Sequence, residues 1–294
     1  MPTCGLAVSY RTGMCRLFGL CAGADPVTAT FWLLDAPDSL RVQSHREPDG
    51  TGLGYFDQHQ HARVDKQPLA AFKDRAFARE ARSVHASTFV AHIRYASTGA
   101  LELRNTHPFE QQGRLFAHNG VIQDLPALER RVGPQMNLVR GDTDSERLFA
   151  LITGEIERHD GDVVGGISSA VGWVAANLPL LALNFVLIAA GELWALRYPE
   201  THELNVLERP SGKTLEQVSS HGTRVHSEHA AERPTVIVAS EVMDGEGGWR
   251  ALRSGELIHV DSALRVDSRT VLDAPPAHPL SLQDLEGRAK ASQS

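Results

Sequence analysis

Cysteine is scarce in this chain: there are three, Cys4, Cys15 and Cys21, all close to the first residue. Thiols crowded at one end cannot staple a chain of 294 residues, which excludes a disulfide framework and points to a reducing, cytoplasmic setting. Basic charge is also short. Lys and Arg number 29 against 36 Asp and Glu, a formal net charge of −7, which argues against a phosphate-backbone binder, so no nucleic-acid partner is expected. No signal peptide is visible, since "MPTCGLAVSYRTG" has no apolar core. Internal repeats and Pro/Gly/Ser-rich seams are lacking as well, which favours one domain.

A single long run lacks charge, Val163 to Gly191, and its length alone would suit a membrane span. It contains Gly165, Gly166, Ser168, Ser169, Asn177, Pro179 and Asn184, so it reads instead as a helix (Val163–Ala176), a break at Asn177–Pro179 and a buried strand (Leu181–Ala189). No membrane is expected as a partner.

What is present is the composition of a folded protein, 42% hydrophobic and 22% charged, with short apolar runs alternating with helical stretches. "STFVAHIRYAS" (Ser87–Ser97) reads as a strand, with Phe89, Ala91 and Ile93 on one face and Val90, His92 and Arg94 on the other. "RLFAHNG" reads as a second strand ending at a turn-forming Asn119-Gly120 pair. "GDTDSERLFALITGEIERH" reads as a helix with Thr143 and Glu146 at capping-box spacing and an apolar stripe of Leu148, Phe149, Ile152 and Ile156. "TVIVAS" (Thr235–Ser240) and "GELIHVDS" (Gly255–Ser262) are strand-like, and the polar end "EGRAKASQS" is expected to fray.

Five clusters could carry chemistry: Cys15 after Met14, "RYASTG", "NTHPF", "HNG" and "GDTDSE". Each alone has an ordinary explanation: a small core residue, a surface arginine, a turn or a helix cap. In this order they resemble the class II glutamine amidotransferases of the N-terminal nucleophile hydrolase superfamily. The likeness is strongest to the short type that opens Met-Cys-Arg-Leu-Phe-Gly, which includes the γ-glutamyl hydrolase of ergothioneine biosynthesis. The resemblance implies an α+β fold, a four-layer αββα sandwich of two antiparallel sheets. It also implies a domain spanning 15–280, between an extension (1–14) absent from the mature protein and a polar tail (281–294).

The implied chemistry is attack on a γ-glutamyl amide, of glutamine or a larger γ-glutamyl compound, by a cysteine thiol whose own α-amino group is the base. An α-amino pKa of about 8 suits that task, and an acylated nitrogen has no such basicity. Cys15 can therefore serve only as the first residue. Either translation begins at Met14, which is clipped, or residues 1–14 are a removed leader, and the first route is favoured. Cys4 is a rival, but Thr3 precedes it, so Met removal cannot expose it; Cys21 reads as core.

The other roles come from the same resemblance. Arg94 would clamp the substrate α-carboxylate, with Ser97 or neighbouring Thr98 adding a hydroxyl contact. The Asn119 side-chain amide and Gly120 N–H would form the oxyanion hole. Asp144 would hold the α-ammonium, with Asp142 only a cap. His107 would contact the carboxylate or shape the pocket and Asn105 would brace its loop, while Arg46 and Asp49 of "REPDGTG" would support the surroundings of the nucleophile.

No cofactor and no metal are expected. His59, His61, His221, His226 and His229 lack a recognised zinc spacing, and "GEGGW" (Gly245–Trp249), read as a flexible turn, matches no nucleotide fingerprint. The expected partner is a small-molecule γ-glutamyl substrate, with a separate acceptor synthetase as a second possibility. If Cys15 is not N-terminal, the pocket would bind γ-glutamyl ligands without turnover.

Overall fold

The computed structural model describes residues 15–46, 48–95, 100–211, 215–218, 224–227, 233–245 and 247–285. Strands and helices follow in chain order. They are β1 (Arg16–Cys21), α1 (Leu40–Gln43), β2 (Gly50–Phe56), β3 (Ala62–Gln67), α2 (Arg75–Ser83), β4 (Thr88–Arg94), β5 (Phe109–Gln111) and β6 (Arg114–Ile122). Next come α3 (Leu125–Val132), α4 (Asp144–Arg158), α5 (Val163–Asn177), β7 (Pro179–Ala189), β8 (Glu192–Arg197), β9 (Asn205–Arg209), β10 (Leu215–Val218) and β11 (Arg224–Ser227). The chain continues through β12 (Thr235–Ala239), β13 (Arg250–Ala251), β14 (Glu256–Val260), β15 (Val266–Thr270) and β16 (His278–Pro279).

Two sheets hold most of these strands. The first runs β13-β9-β12-β1-β4-β2-β3 and the second β15-β14-β8-β7-β6-β5, with β16 joining β7 in parallel. All other pairings are antiparallel, and β10 and β11 form a separate hairpin.

Alternation along the central strands explains the layering. On β1, Leu17 and Cys21 face the second sheet, where they pack with Ala117, Val186 and Ile258, while Phe18 and Leu20 face the opposite way onto Phe31, Trp32 and Phe77. The outer face of the second sheet (Phe116, Phe185, Leu187) is covered by Leu148, Ile152, Ile167 and Val171 of α4 and α5. Helical cover, sheet, sheet and helical cover make the αββα sandwich. The sheets meet tightly at Gly19, where a Cβ would lie 2.8 Å from a Val186 methyl. Cys21 sits in this interior, and burial pushes its thiol up to about 11.

The uncharged stretch is resolved into α5 and β7, so no helix among the described residues is long and apolar enough to cross a membrane. The break is shorter than expected. Pro179 already belongs to β7, at the first position of the strand, where its missing N–H costs no ladder bond. A larger correction concerns Asn119-Gly120, which forms no turn. β6 runs straight through the pair to Ile122, with Asn119 opposite Asn184 and Gly120 opposite Leu183 on β7. Gly120 is required by close approach rather than by turning, since a Cβ there would fall 1.8 Å from the Ala182 carbonyl oxygen. The "GEGGW" segment is anchored at its far end: the Trp249 ring stands edge-on to Trp32, and its N–H donates to Asp244 at 2.9 Å.

Candidate active site

The start of β1, the end of β4, the middle of β6 and the N-terminus of α4 converge at one end of the sandwich. Cys15, Arg94, His107 and Gly120 line one small cleft there, with Tyr95, His118, Thr143 and Ser145. Cys15 immediately precedes β1, whose first residue, Arg16, pairs with Ile93 of β4. This register sets the thiol beside Tyr95. The Tyr95 N–H donates to Sγ at 3.3 Å, and the thiol can donate to the Tyr95 carbonyl at the same distance. Both bonds hold the sulfur against the end of β4.

Asn119 lies on the face of β6 turned toward the first sheet, and its Nδ2 donates to the Cys15 carbonyl at 2.9 Å. The amide carries a second proton besides the one this bond uses. Gly120 follows from the ladder. Leu183, its partner on β7, commits its own N–H to Tyr198 on the far side, so the Gly120 N–H faces away from β7. The Ile122 N–H, two residues on and past a bulge, is taken by Asp144 Oδ2 at 2.9 Å. The first turn of α4 is thus fastened beside Gly120.

Thr143 caps α4, accepting the Glu146 N–H at 3.2 Å. Glu146 does not complete the capping box; its carboxylate takes the Gly141 N–H at 2.6 Å instead. Asp142 is not a cap. It exchanges two hydrogen bonds with Asn105, its N–H reaching Oδ1 at 2.8 Å and its Oδ2 accepting from Nδ2 at 3.3 Å. Asn105 Nδ2 also donates to the Ala100 carbonyl, which in turn accepts from Arg94 Nη1 at 3.2 Å. Asn105 therefore ties the Arg94 side of the cleft to the loop before α4.

Arg46 and Asp49 lie farther back. Arg46 pairs with Asp38 at 3.1 Å, Asp38 shares a hydrogen bond with Glu241, and Glu241 pairs with Arg16 at 2.7 Å, next to Cys15. Burial raises the Glu241 carboxyl, with Arg16 opposing. The Asp49 N–H donates to the Arg94 carbonyl at 3.1 Å. Ser97, Thr98, Cys4, His221 and His229 lie outside the described residues, as does the His226 side chain. His59 and His61 are exposed neighbours, and among the described residues no three His, Cys, Asp or Glu side chains form a metal-holding group.

Two further histidines belong to the site and were not singled out from the sequence. His92 is two residues before Arg94 on the same face of β4, and its ring centroid is 4.2 Å from that of His107. Burial drives the His92 imidazole down to about 3, with Arg94 adding to the effect, and holds His107 well below the ordinary histidine range. Neither His107 ring nitrogen has a hydrogen-bond partner among the described residues. His118 lies 2.9 Å from Ser145 Oγ through Nδ1 and 3.3 Å from the Ala182 carbonyl through Nε2. A carbonyl can only accept, so Nε2 carries the proton and Nδ1 accepts from the Ser145 hydroxyl. The signals were available: His92 shares the strand alternation of Arg94, and His118 begins "HNG".

The model of the class II glutamine amidotransferases matches residues 14–275. The γ-glutamyl-hercynylcysteine sulfoxide hydrolase of Mycobacterium tuberculosis is 28% identical over 257 residues, covering 84% of this chain and 93% of that protein. The glutamine–fructose-6-phosphate aminotransferase of Xylella fastidiosa is 26% identical over 158 residues, 54% of this chain but only 24% of that enzyme. A solved glutamine aminotransferase class-II domain protein from Silicibacter pomeroyi superposes with a TM-score of 0.58 at 19% identity, covering 87% of this chain and 99% of that one, which shows a shared fold. The chain belongs to the class II glutamine amidotransferases and is an enzyme of that family.

Proposed function

We propose that the protein hydrolyses a γ-glutamyl amide through a thioester on Cys15, as a stand-alone γ-glutamyl hydrolase. The supporting observation is the meeting of Cys15 Sγ with the Tyr95 backbone while the Asn119 amide binds the Cys15 carbonyl. In this reading Cys15 is the first residue of the working chain. Its α-amine, with a pKa of about 8, takes the thiol proton as Sγ attacks the amide carbon. The oxyanion is held by the Asn119 amide and Gly120 N–H, a contribution of about 3 kcal/mol per donor. The ammonium returns the proton to the leaving nitrogen, the C–N bond breaks, and water then cleaves the thioester to give glutamate and free thiol.

Arg94 and Asp144 read the α-carboxylate and α-ammonium, and His107 adds a neutral hydrogen-bonding group. A substrate lacking either charge forgoes one of these two charged contacts, so selectivity for the glutamyl end is expected. The mycobacterial relative carries γ-glutamyl and hydrolase in its name, and it aligns over nearly its whole length, which favours hydrolysis. The test is side-by-side turnover of glutamine, glutathione and other γ-glutamyl amides, in which at least one is hydrolysed with release of glutamate. Hydrolysis that rises only when an acceptor synthetase is added would favour the ammonia-donating reading, to which the partial match with the Xylella aminotransferase points.

A further inference from the structure

The loop that brings His107 to the cleft lies across β2 on a row of glycines. Gly50, Gly52 and Gly54 alternate along "GTGLG" and share one face. A Cβ at Gly50 would be 3.2 Å from the Thr106 methyl, one at Gly52 would be 2.0 Å from the His107 carbonyl oxygen, and one at Gly54 would be 2.9 Å from the Pro108 ring. Three consecutive loop residues therefore rest on three side-chain-free positions.

Gly52 is flanked in register by His92 on β4 and Lys66 on β3. Lys66 Nζ reaches over the loop and donates to the Thr106 carbonyl at 2.7 Å and the Pro108 carbonyl at 3.2 Å, the two carbonyls on either side of His107. Its ammonium also lies 5.0 Å from the centre of the Phe109 ring. Burial lowers this lysine to about 8, with Glu146 opposing the shift and Arg140 adding to it. A desolvated ammonium spent on two backbone carbonyls needs a reason, because surface lysines ordinarily keep their charge in water.

We propose that Lys66 is a positioning residue: by bonding the carbonyls on both sides of His107 it presses the loop onto the β2 glycines and fixes the imidazole against His92 in the Cys15 cleft. The kinetic consequence rests on the proposed function; the structural clamp does not. Lys66 also borders a cavity of about 740 Å³ between the β3 and β5 edges, lined by Leu103, Phe109 and Arg140 among others, so the clamp is reachable from a side that does not include Cys15.

The test pairs hydrogen exchange with kinetics on Lys66→Met and Lys66→Arg. In Lys66→Met, exchange is expected to quicken in the peptide covering 102–110 while β12 and α5 stay protected. KM for the γ-glutamyl substrate is expected to rise about tenfold, as for one or two lost hydrogen bonds, with kcat changing less than about threefold. Lys66→Arg should restore both. Adding Lys66→Met to His107→Ala should raise KM no further, because Lys66 acts through that ring. Unchanged exchange overturns the clamp, and faster exchange with unchanged KM overturns the positioning role. Should Lys66→Met fail to fold, Lys66→Gln is compared with Lys66→Arg by the same readouts. A wild type that hydrolyses no γ-glutamyl amide defeats the proposed function, while the exchange comparison still decides on the clamp.

Discussion

The Asn119 side chain, on the second sheet, donates to the carbonyl of Cys15, on the first, at 2.9 Å. This bond joins the two layers at Cys15, and in the proposed reaction the other amide proton of Asn119 meets the oxyanion. Asn119→Ala is expected to lower kcat by about 100- to 1,000-fold with a much smaller change in KM. Steady-state kinetics decide: a loss confined to KM would make Asn119 a binding residue only.

Asp144 is buried at the first position of α4 and takes the Ile122 N–H through Oδ2. Asp144→Asn keeps an oxygen for that N–H while removing the charge and turning the other oxygen into an NH2 donor. KM is expected to rise at least about tenfold while stability stays within about 1 kcal/mol. A normal KM with normal folding would mean that the α-ammonium is read elsewhere.

Gly120 has no room for a side chain against Ala182. Gly120→Ala should push β6 from β7, costing about 2 kcal/mol or more in urea unfolding and most of kcat. A stable, active Gly120→Ala enzyme would remove Gly120 from the site.

His92 and His107 are buried as neutral imidazoles. An unfolded chain protonates a histidine near its ordinary value of 6.5, whereas His92 in the fold does so only at about 3. Between those values the unfolded state binds more protons. The stability is therefore fully present above about pH 6.5 and falls as pH drops, by up to about 1.4 kcal/mol per pH unit for each such histidine. Urea unfolding between pH 7 and 5 should show this slope, and His92→Gln should reduce it by about one histidine's worth. An unchanged slope would show that His92 is not buried neutral.

The sandwich was legible because motif order and strand alternation are local, and the strand carrying Arg94 and the α4 cap Thr143 lie where short patterns placed them. Asn-Gly misled because the pair usually marks a turn, and only the packing of Gly120 on Ala182 reveals a mid-strand glycine. Asp142 was misread as a cap because its true partner, Asn105, is 37 residues away. The Lys66 clamp joins β3 to the 100–108 loop, and the ring contact of His92 with His107 joins β4 to it; such cross-element contacts leave no spacing to read, although His92 itself shares the alternation of Arg94.

In the proposed reaction Cys15 supplies both the thiol and a free α-amine. The most direct test is to treat the active enzyme with an electrophilic glutamine analogue and map the adduct by peptide mass spectrometry. The predicted result is one label, on a peptide whose first residue is Cys15 with an unmodified amino terminus. A label on Cys4 or Cys21, or full activity in a chain still carrying Met14 on Cys15, would contradict it.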